Sequence, residues 1–518
     1  MGPGQLNTLH ESSTGKAMTP TAPAAARPVP DYPQTLGHPR PLWMLFMTEF
    51  WERFAFYGMR WALTLYIVAE FFHGDQAGQG YASRTYGAYL ALVYASAIFG
   101  GWVADRILGY QRSILVGAAV MGAGLFMVMV PNQQVFLAGL ATVIVGNGLF
   151  KPNISSLVGQ IYPVGDDRRD RGFTIFYMGI NLGGFLAPLV TGWLASVLTD
   201  TPLQDNYKAV FAATGVGMVI CFIWFLVGKH QLKGVGVPPP ERHEGKNLVA
   251  VIVGILVAIP LVYLLMAKAG AIFIAWLLGA LFIGVAVMLV IEAVRHDRIQ
   301  IHRVIAMLLL FTFNVLFWMF FEQAGSSFNF LAQNIVDRQM FGWEFPTGWF
   351  QSVNSGAILV FAPIVALAWG WSARLRKEPS IPRKFGLGLI FNALGFFVLM
   401  YALKSLVGGN GLIPFWPLAA CYVLQTIGEL CLSPIGLSMV TKLAPIRVVG
   451  LAMGGWFLST AIGNNLSGLL AGHISGETGM TVSSALSGFS FSFELLIGAG
   501  IVLLLIAPLI NRLMHGVK

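Results

Sequence analysis

Glu49, Glu52, Arg53 and Arg60 stand inside a stretch, 41–72, that is otherwise long and apolar enough to cross a bilayer. At about 100° per residue, Glu49, Arg53 and Arg60 fall within roughly 40° of one another, with Glu52 about 60° from Glu49 on the other flank. Four charges therefore share one stripe of a helix. Each costs about 3 kcal/mol at mid-membrane on insertion scales. Such a stripe has to face protein or water, and its members have to find partners. A purely structural ion-pair network is the plain alternative. Matching charges in other apolar stretches argue against it.

Those matching charges are Lys151, Glu322 and Glu429. Asn314, Trp318 and Glu322 follow one another at i, i+4 and i+8, so they share a face. Gln425, Glu429 and Ser433 repeat that spacing, and Tyr177 and Asn181 make one step of it. For a single Asn, Ser or Tyr, helix–helix hydrogen bonding is the default role. For a buried acid or base, function is the default. Arg53, Arg60 and Lys151 stand against Glu49, Glu52, Glu322 and Glu429, which leaves one acid free to carry a proton.

The elements that must hold these side chains are membrane helices. The chain of 518 residues is 56% hydrophobic and 11% charged. A soluble domain carries roughly a quarter charged residues. The pattern predicts about fourteen spans and an all-α membrane protein; the short alternating segments of a β-barrel are absent. The net charge of +9 is explained by basic loops on one side, at 106–112, 168–171, 229–246, 295–303 and 374–384. That places both termini in the cytoplasm. No basic patch with interleaved aromatics suggests nucleic acid. Cys221, Cys421 and Cys431 lie in apolar runs without metal or disulfide spacing. Neither a metal nor a cofactor is expected.

The domain reading is a disordered tail over 1–40, a six-helix bundle over 41–229 and a Pro-rich linker over 230–246. Two inserted helices over 247–294 follow, then a second six-helix bundle over 295–513 and a short tail over 514–518. Six plus six is the plan of transporters built from two similar halves. Between the second and third spans, Gly101, Asp105, Arg106, Gly109 and Arg112 form G-x-x-x-D-R-x-x-G-x-x-R. This resembles the cytoplasmic loop signature of the major facilitator superfamily, in which the loop steadies one conformation.

Glu49 to Gly58 is similar to the E-x-x-E-R-F-x-Y-Y-G motif of the proton-dependent oligopeptide transporter (POT) family, with Phe56 in place of the first tyrosine. Phe176, Tyr177, Ile180, Asn181 and Gly183 match the F-Y-x-x-I-N-x-G motif of that family. The resemblance implies a major facilitator fold and a symporter importing di- and tripeptides by alternating access, driven by the proton gradient. It implies that Arg60 and Lys151 attract the peptide carboxylate, while Glu429, Asn181 and Asn354 hold the amino end. Tyr57, Tyr94, Tyr177, Trp318, Ser433 and Trp456 would line side-chain pockets. Glu49, Glu52, Arg53 and Glu322 would carry proton coupling, with Glu52 and Glu322 as the proton sites. If Glu322 pairs with Arg60 or Lys151 when ionised, protonating it frees the base for the peptide. The helix 2 histidine of animal members corresponds to Gly87 here. A bacterial inner membrane and a monomer are expected by analogy.

Two other classes compete. A facilitator for another small anion or a drug would need no amine partner, so Glu429 speaks for peptides. A receptor or membrane enzyme would need a soluble domain, a nucleophile–base pair or a metal cluster, and the sequence offers none.

Overall fold

In lipid every backbone group must be satisfied within its own segment, so long apolar runs fold as helices. The computed structural model describes residues 29–163, 165–199, 205–238, 244–340 and 342–517. In chain order its helices are α1 (Arg40–Arg60), α2 (Ala62–Tyr66), α3 (Gln79–Val103), α4 (Tyr110–Val128), α5 (Gln133–Gln160), α6 (Arg168–Val197) and α7 (Tyr207–Gly228). Then come α8 (Glu244–Leu264), α9 (Gly270–Val294), α10 (Arg298–Phe321), α11 (Ser327–Asn334) and α12 (Trp349–Arg374). The last four are α13 (Ile381–Ser405), α14 (Trp416–Leu443), α15 (Val449–Ser475) and α16 (Val482–Leu513).

Among the described residues, 12 helical stretches are long and apolar enough to cross a membrane. One of them, Asn247–Val294, holds both α8 and α9. The charged α1 is outside that set, yet it is 21 residues long and α2 continues it. With α8 and α9 taken apart and α1 added, the architecture has the expected fourteen spans.

The helices α1 and α3 to α7 pack on one another, and so do α10 and α12 to α16. The two groups meet along two seams. At one, α3 crosses α15, and Gly87 and Gly80 lie against Gly468 and Gly472. No side chain separates the backbones there, which is what lets membrane helices approach closely. At the other, α6 meets α12: Ser352 Oγ donates to the Phe185 carbonyl at 2.8 Å, and Trp349 Nε1 to that of Leu189 at 2.9 Å. The inserted pair covers the first seam. There α8 packs on α5, while α9 packs on α10 and α15. Asn465 Nδ2 donates to the Ala271 carbonyl at 2.8 Å.

An even number of crossings puts both chain ends on one side. On the opposite, far side the halves are tied together. Thr64 Oγ1 bonds the Gly325 carbonyl at 3.0 Å, Asn329 Nδ2 the Trp61 carbonyl at 2.7 Å, and Asn334 Nδ2 bonds Gln76 Oε1 at 2.9 Å. The Met480 amide donates to Gln79 Oε1 at 2.8 Å. Breaks in two helices supply these carbonyls: α1 is interrupted at Trp61, and α10 passes through a 3₁₀ turn, Glu322–Gly325, before α11. A broken helix leaves carbonyls without intrahelical partners. Toward the terminal side, Tyr177 of α6 is 39% exposed although it faces the space between the halves. The central space therefore opens toward the chain ends.

Two expectations need correction. The end of the expected tail is ordered. Residues 34–39 form a two-stranded hairpin (β1, Gln34–Thr35; β2, His38–Pro39), held by Arg168 through Gln34 and the Gly37 carbonyl and by His38 to Tyr162 at 2.8 Å. Residues 1–28 lie outside the described set, as do 239–243 of the linker. Second, α8 begins at Glu244, inside the expected linker. Beside the loop signature, Gly100 packs tightly and Gly101 does not. A methyl group at Gly100 would collide with the Gly148 carbonyl, whereas Gly101 has room. The neighbouring residue is displaced by about 100° around the helix, and only one of the two can face α5. The rest of the signature closes a turn. Gly109 has φ +74°, and the Tyr110 hydroxyl bonds Asp105 at 2.5 Å. The linker lies on this turn, with Gln111 Nε2 bonding the Val235 carbonyl at 2.7 Å. Arg106 and Arg112 are both partnered.

Candidate functional site between the two halves

The α1 stripe exists as the angular reading predicts: Glu49, Glu52, Arg53 and Arg60 are all buried. It divides into two sets. In the first, Arg53 pairs with both acids of its own helix, Glu52 closely and Glu49 at 3.3 Å. Asn147 of α5 adds an Nδ2 bond to Glu52 at 3.1 Å. Glu52 thus accepts from Arg53 Nε, Arg53 Nη2 and Asn147. Glu49 keeps one oxygen that makes no hydrogen bond. The Arg53 guanidinium also lies 4.9 Å from the centre of the Phe56 ring. The departure from the family motif therefore retains the aromatic face and loses only a hydroxyl. Gly183 of α6 gives α1 its close seat beside Phe50 and Arg53.

The second set spans the halves. Arg60, at the end of α1, forms an ion pair with Glu322, which starts the break after α10. Its Nε donates to the Tyr86 hydroxyl of α3 at 2.5 Å. Lys151 of α5 places its ammonium 4.5 Å from the centre of the Tyr94 ring, within electrostatic reach of Glu49, Glu52 and Glu322. The base paired with Glu322 is therefore Arg60, and Lys151 stands by.

Facing these bases, Glu429 of α14 accepts from Asn354 Nδ2 at 3.2 Å. Asn354 also bonds Thr426 Oγ1 at 2.9 Å. The electrostatic neighbours of Glu429 include Glu322 and Arg60. Tyr57 lies among Arg53, Arg60, Glu322 and Glu429. Tyr177 has Glu429 and Tyr57 nearby. Trp318 is fixed by its Nε1 bond to Asn314 at 3.0 Å, and Asn314 in turn bonds Ser459 and Thr460 of α15 at 2.8 and 3.1 Å. Ser433 Oγ makes no hydrogen bond.

Two residues sit differently from expectation. Asn181 spends its amide on the Tyr177 carbonyl at 2.9 Å, inside its own helix. Trp456 is 4% exposed, packed edge-on to Phe311 and Phe385 and filling the gap left by Gly436. Sequence reasoning missed Tyr86. It lies two turns before Tyr94 on the same helix face, which was the available signal. It also gave Asn147 no contact with Glu52. Among the described residues no group of three metal-ligating side chains occurs.

The arrangement is a basic wall facing an acidic one across two halves, with an ion pair bridging them. Comparison with known proteins decides which family this is. The profile of the POT family (PTR2) matches residues 111–484. This chain belongs to the POT family. It is 34% identical to the peptide transporter YePEPT of Yersinia enterocolitica subsp. palearctica, over 93% of this chain and 96% of the other. It is 34% identical to dipeptide and tripeptide permease A of Chromobacterium violaceum, over 84% and 86%. Among solved structures it resembles a peptide transporter POT mutant in complex with alafosfalin, at 35% identity and TM-score 0.80, covering 93% and 97%. A POT family transporter in complex with a thioalcohol-conjugated peptide gives 32%, TM-score 0.78, 92% and 98%.

Proposed function

We propose that this protein is a proton-coupled symporter that imports di- and tripeptides by alternating access. The observation that carries this reading is the Arg60–Glu322 pair, because it joins the two halves at the bottom of the central space. A zwitterionic peptide offers a carboxylate for Arg60 and Lys151 and an ammonium for Glu429 and Asn354. Charge-assisted bonds to two fixed ends admit both peptide lengths if water fills the difference. Tyr57, Tyr94, Tyr177, Trp318 and Ser433 line the space for side chains. Trp456 supports the wall from behind, and Asn181, whose Nδ2 is bonded within its own helix, would meet the amine through Oδ1.

In the described state Glu322 occupies Arg60. A proton on Glu322 removes the charge that holds Arg60 and makes the base available to the carboxylate. Protonation and peptide binding then favour each other, as linkage requires. The first set divides its labour differently from the sequence-based expectation. Glu52 is saturated with donors and is assigned the ionised state, whereas Glu49 has a free oxygen and takes the proton role. The bundles 41–229 and 295–513 rock about the seams, with 247–294 at one of them. The termini are cytoplasmic, the membrane is a bacterial inner membrane, and the transporting unit is a monomer. One structural relative, 27% identical, is described as tetrameric.

The test is uptake of labelled dialanine into proteoliposomes under an inward proton gradient. Gradient-dependent accumulation, inhibited by unlabelled dialanine and not by nitrate, supports the reading. Inhibition by nitrate alone would move the protein to the anion class, which Glu429 and its amide partner do not suit.

A further inference from the structure

A second cavity lies on the far side, above the bonds that close it. Its volume is about 660 Å³, in the size range of small-molecule sites. The first half lines it with Gln76, Asp205 and Tyr207, and the second with Phe330, Gln333 and Asn334. It is separate from the central site. The Thr64–Gly325 and Asn329–Trp61 bonds lie between them.

The lining is chemically mixed: one carboxylate, three carboxamides, two aromatic rings and the His73 imidazole, with Leu65, Val68 and Ala69 beside them. Charge near the carboxylate is net negative. Arg338 is paired with Glu344 at 2.6 Å, so among the described residues Asp205 shares that one cation with a second acid. Burial holds the Asp205 carboxyl above the ordinary carboxylate range, with Arg338 opposing. An ammonium group in the cavity would restore the ionised form. Two of the carboxamides already have a task, since Asn334 Nδ2 donates to Gln76 Oε1 across the halves at 2.9 Å. A peptide bond carries the same donor and acceptor as a carboxamide. It can replace either partner in that bond.

We propose that this outer cavity is a staging site for peptide, which sets its amino end at Asp205 and its backbone amide against Gln76 and Asn334. Occupancy then breaks one of the bonds that hold the far side shut, so arrival of substrate favours opening toward it. A ligand shifts such an equilibrium only through contacts that differ between the two states, and the Gln76–Asn334 bond is that contact. Gln333 is held back from the same role by Thr347, whose hydroxyl donates to it at 2.6 Å. Phe330 and Tyr207 offer apolar surface to a side chain.

This inference rests on peptide transport as proposed above, and one experiment separates the two. Dialanine transport is measured in proteoliposomes of known orientation, with peptide supplied from either side, for wild type, Asp205→Asn and Asp205→Glu. For peptide supplied from the far side, Asp205→Asn raises KM about three- to tenfold, the size of one ordinary net hydrogen bond. Its kcat and its KM from the terminal side stay at the wild-type values, and Asp205→Glu recovers most of the loss. An unchanged far-side KM overturns the staging site. So does an equal rise on both sides, or a fall in kcat alone, because each describes a structural role for Asp205. If wild type itself moves no dialanine, it is the transport reading that fails.

Discussion

The two ion-pair sets at α1 use the same residue types and behave as different devices. Arg53 finds both its acids on its own helix, and Asn147 comes from the same half. Nothing in that set is separated when the halves rock. Arg60 finds its acid 262 residues away, in the other half. That pair has to break or reform in any cycle that moves one half against the other. Charge inside a membrane is costly in both places. The difference is where the compensation comes from: on the proposed reading the second set couples the two halves, while the first stays within one half and keeps only Glu49 for a proton.

The largest expected effect comes from attacking the second set. Arg60→Ala leaves Glu322 buried without its cation and removes the proposed carboxylate anchor. Uptake should fall at least about a hundredfold, on the scale of a broken buried pair. Near-normal uptake would place the peptide carboxylate elsewhere. Within the first set, Glu52→Gln removes the charge facing Arg53 and one of the two oxygens that accept its three donors, and should lower stability by about 3 kcal/mol, seen as a reduced thermal midpoint in detergent. Glu49→Gln should leave that midpoint nearly unchanged and alter the pH profile of uptake instead. The reverse order would return the proton role to Glu52. The smallest effect is Phe56→Tyr. The ring stays under Arg53, so dialanine KM should shift within about twofold, the scale of a weak added hydrogen bond. A larger shift would show that the missing hydroxyl tunes substrate choice.

Much of this was legible in the sequence, for a physical reason. A charge in an apolar run is so costly that it must be paired, so the stripe and its partners could be named before any geometry. Helical angles do not give depth, and this is why Arg60 and Lys151 could not be told apart as partners of Glu322. Trp456 was misread for a related reason. A tryptophan on the helix after Gly436 gives no sign that the glycine leaves a slot for it. Gly100 and Gly101 differ by one step around the helix, which a loop motif does not resolve. The order in residues 29–39 depends on Tyr162, Arg168 and Leu232, all far along the chain. The helix break at Trp61 carries no proline, and Gly325 is a local sign of the break after Phe321; bonds across the halves hold both.

The claim that Glu322 couples protons to peptide is tested most directly by Glu322→Gln in proteoliposomes, with driven uptake and peptide exchange measured on the same preparation. The account predicts that accumulation under the proton gradient is lost while exchange of labelled for unlabelled dialanine persists. Accumulation at the wild-type rate in that variant would contradict it.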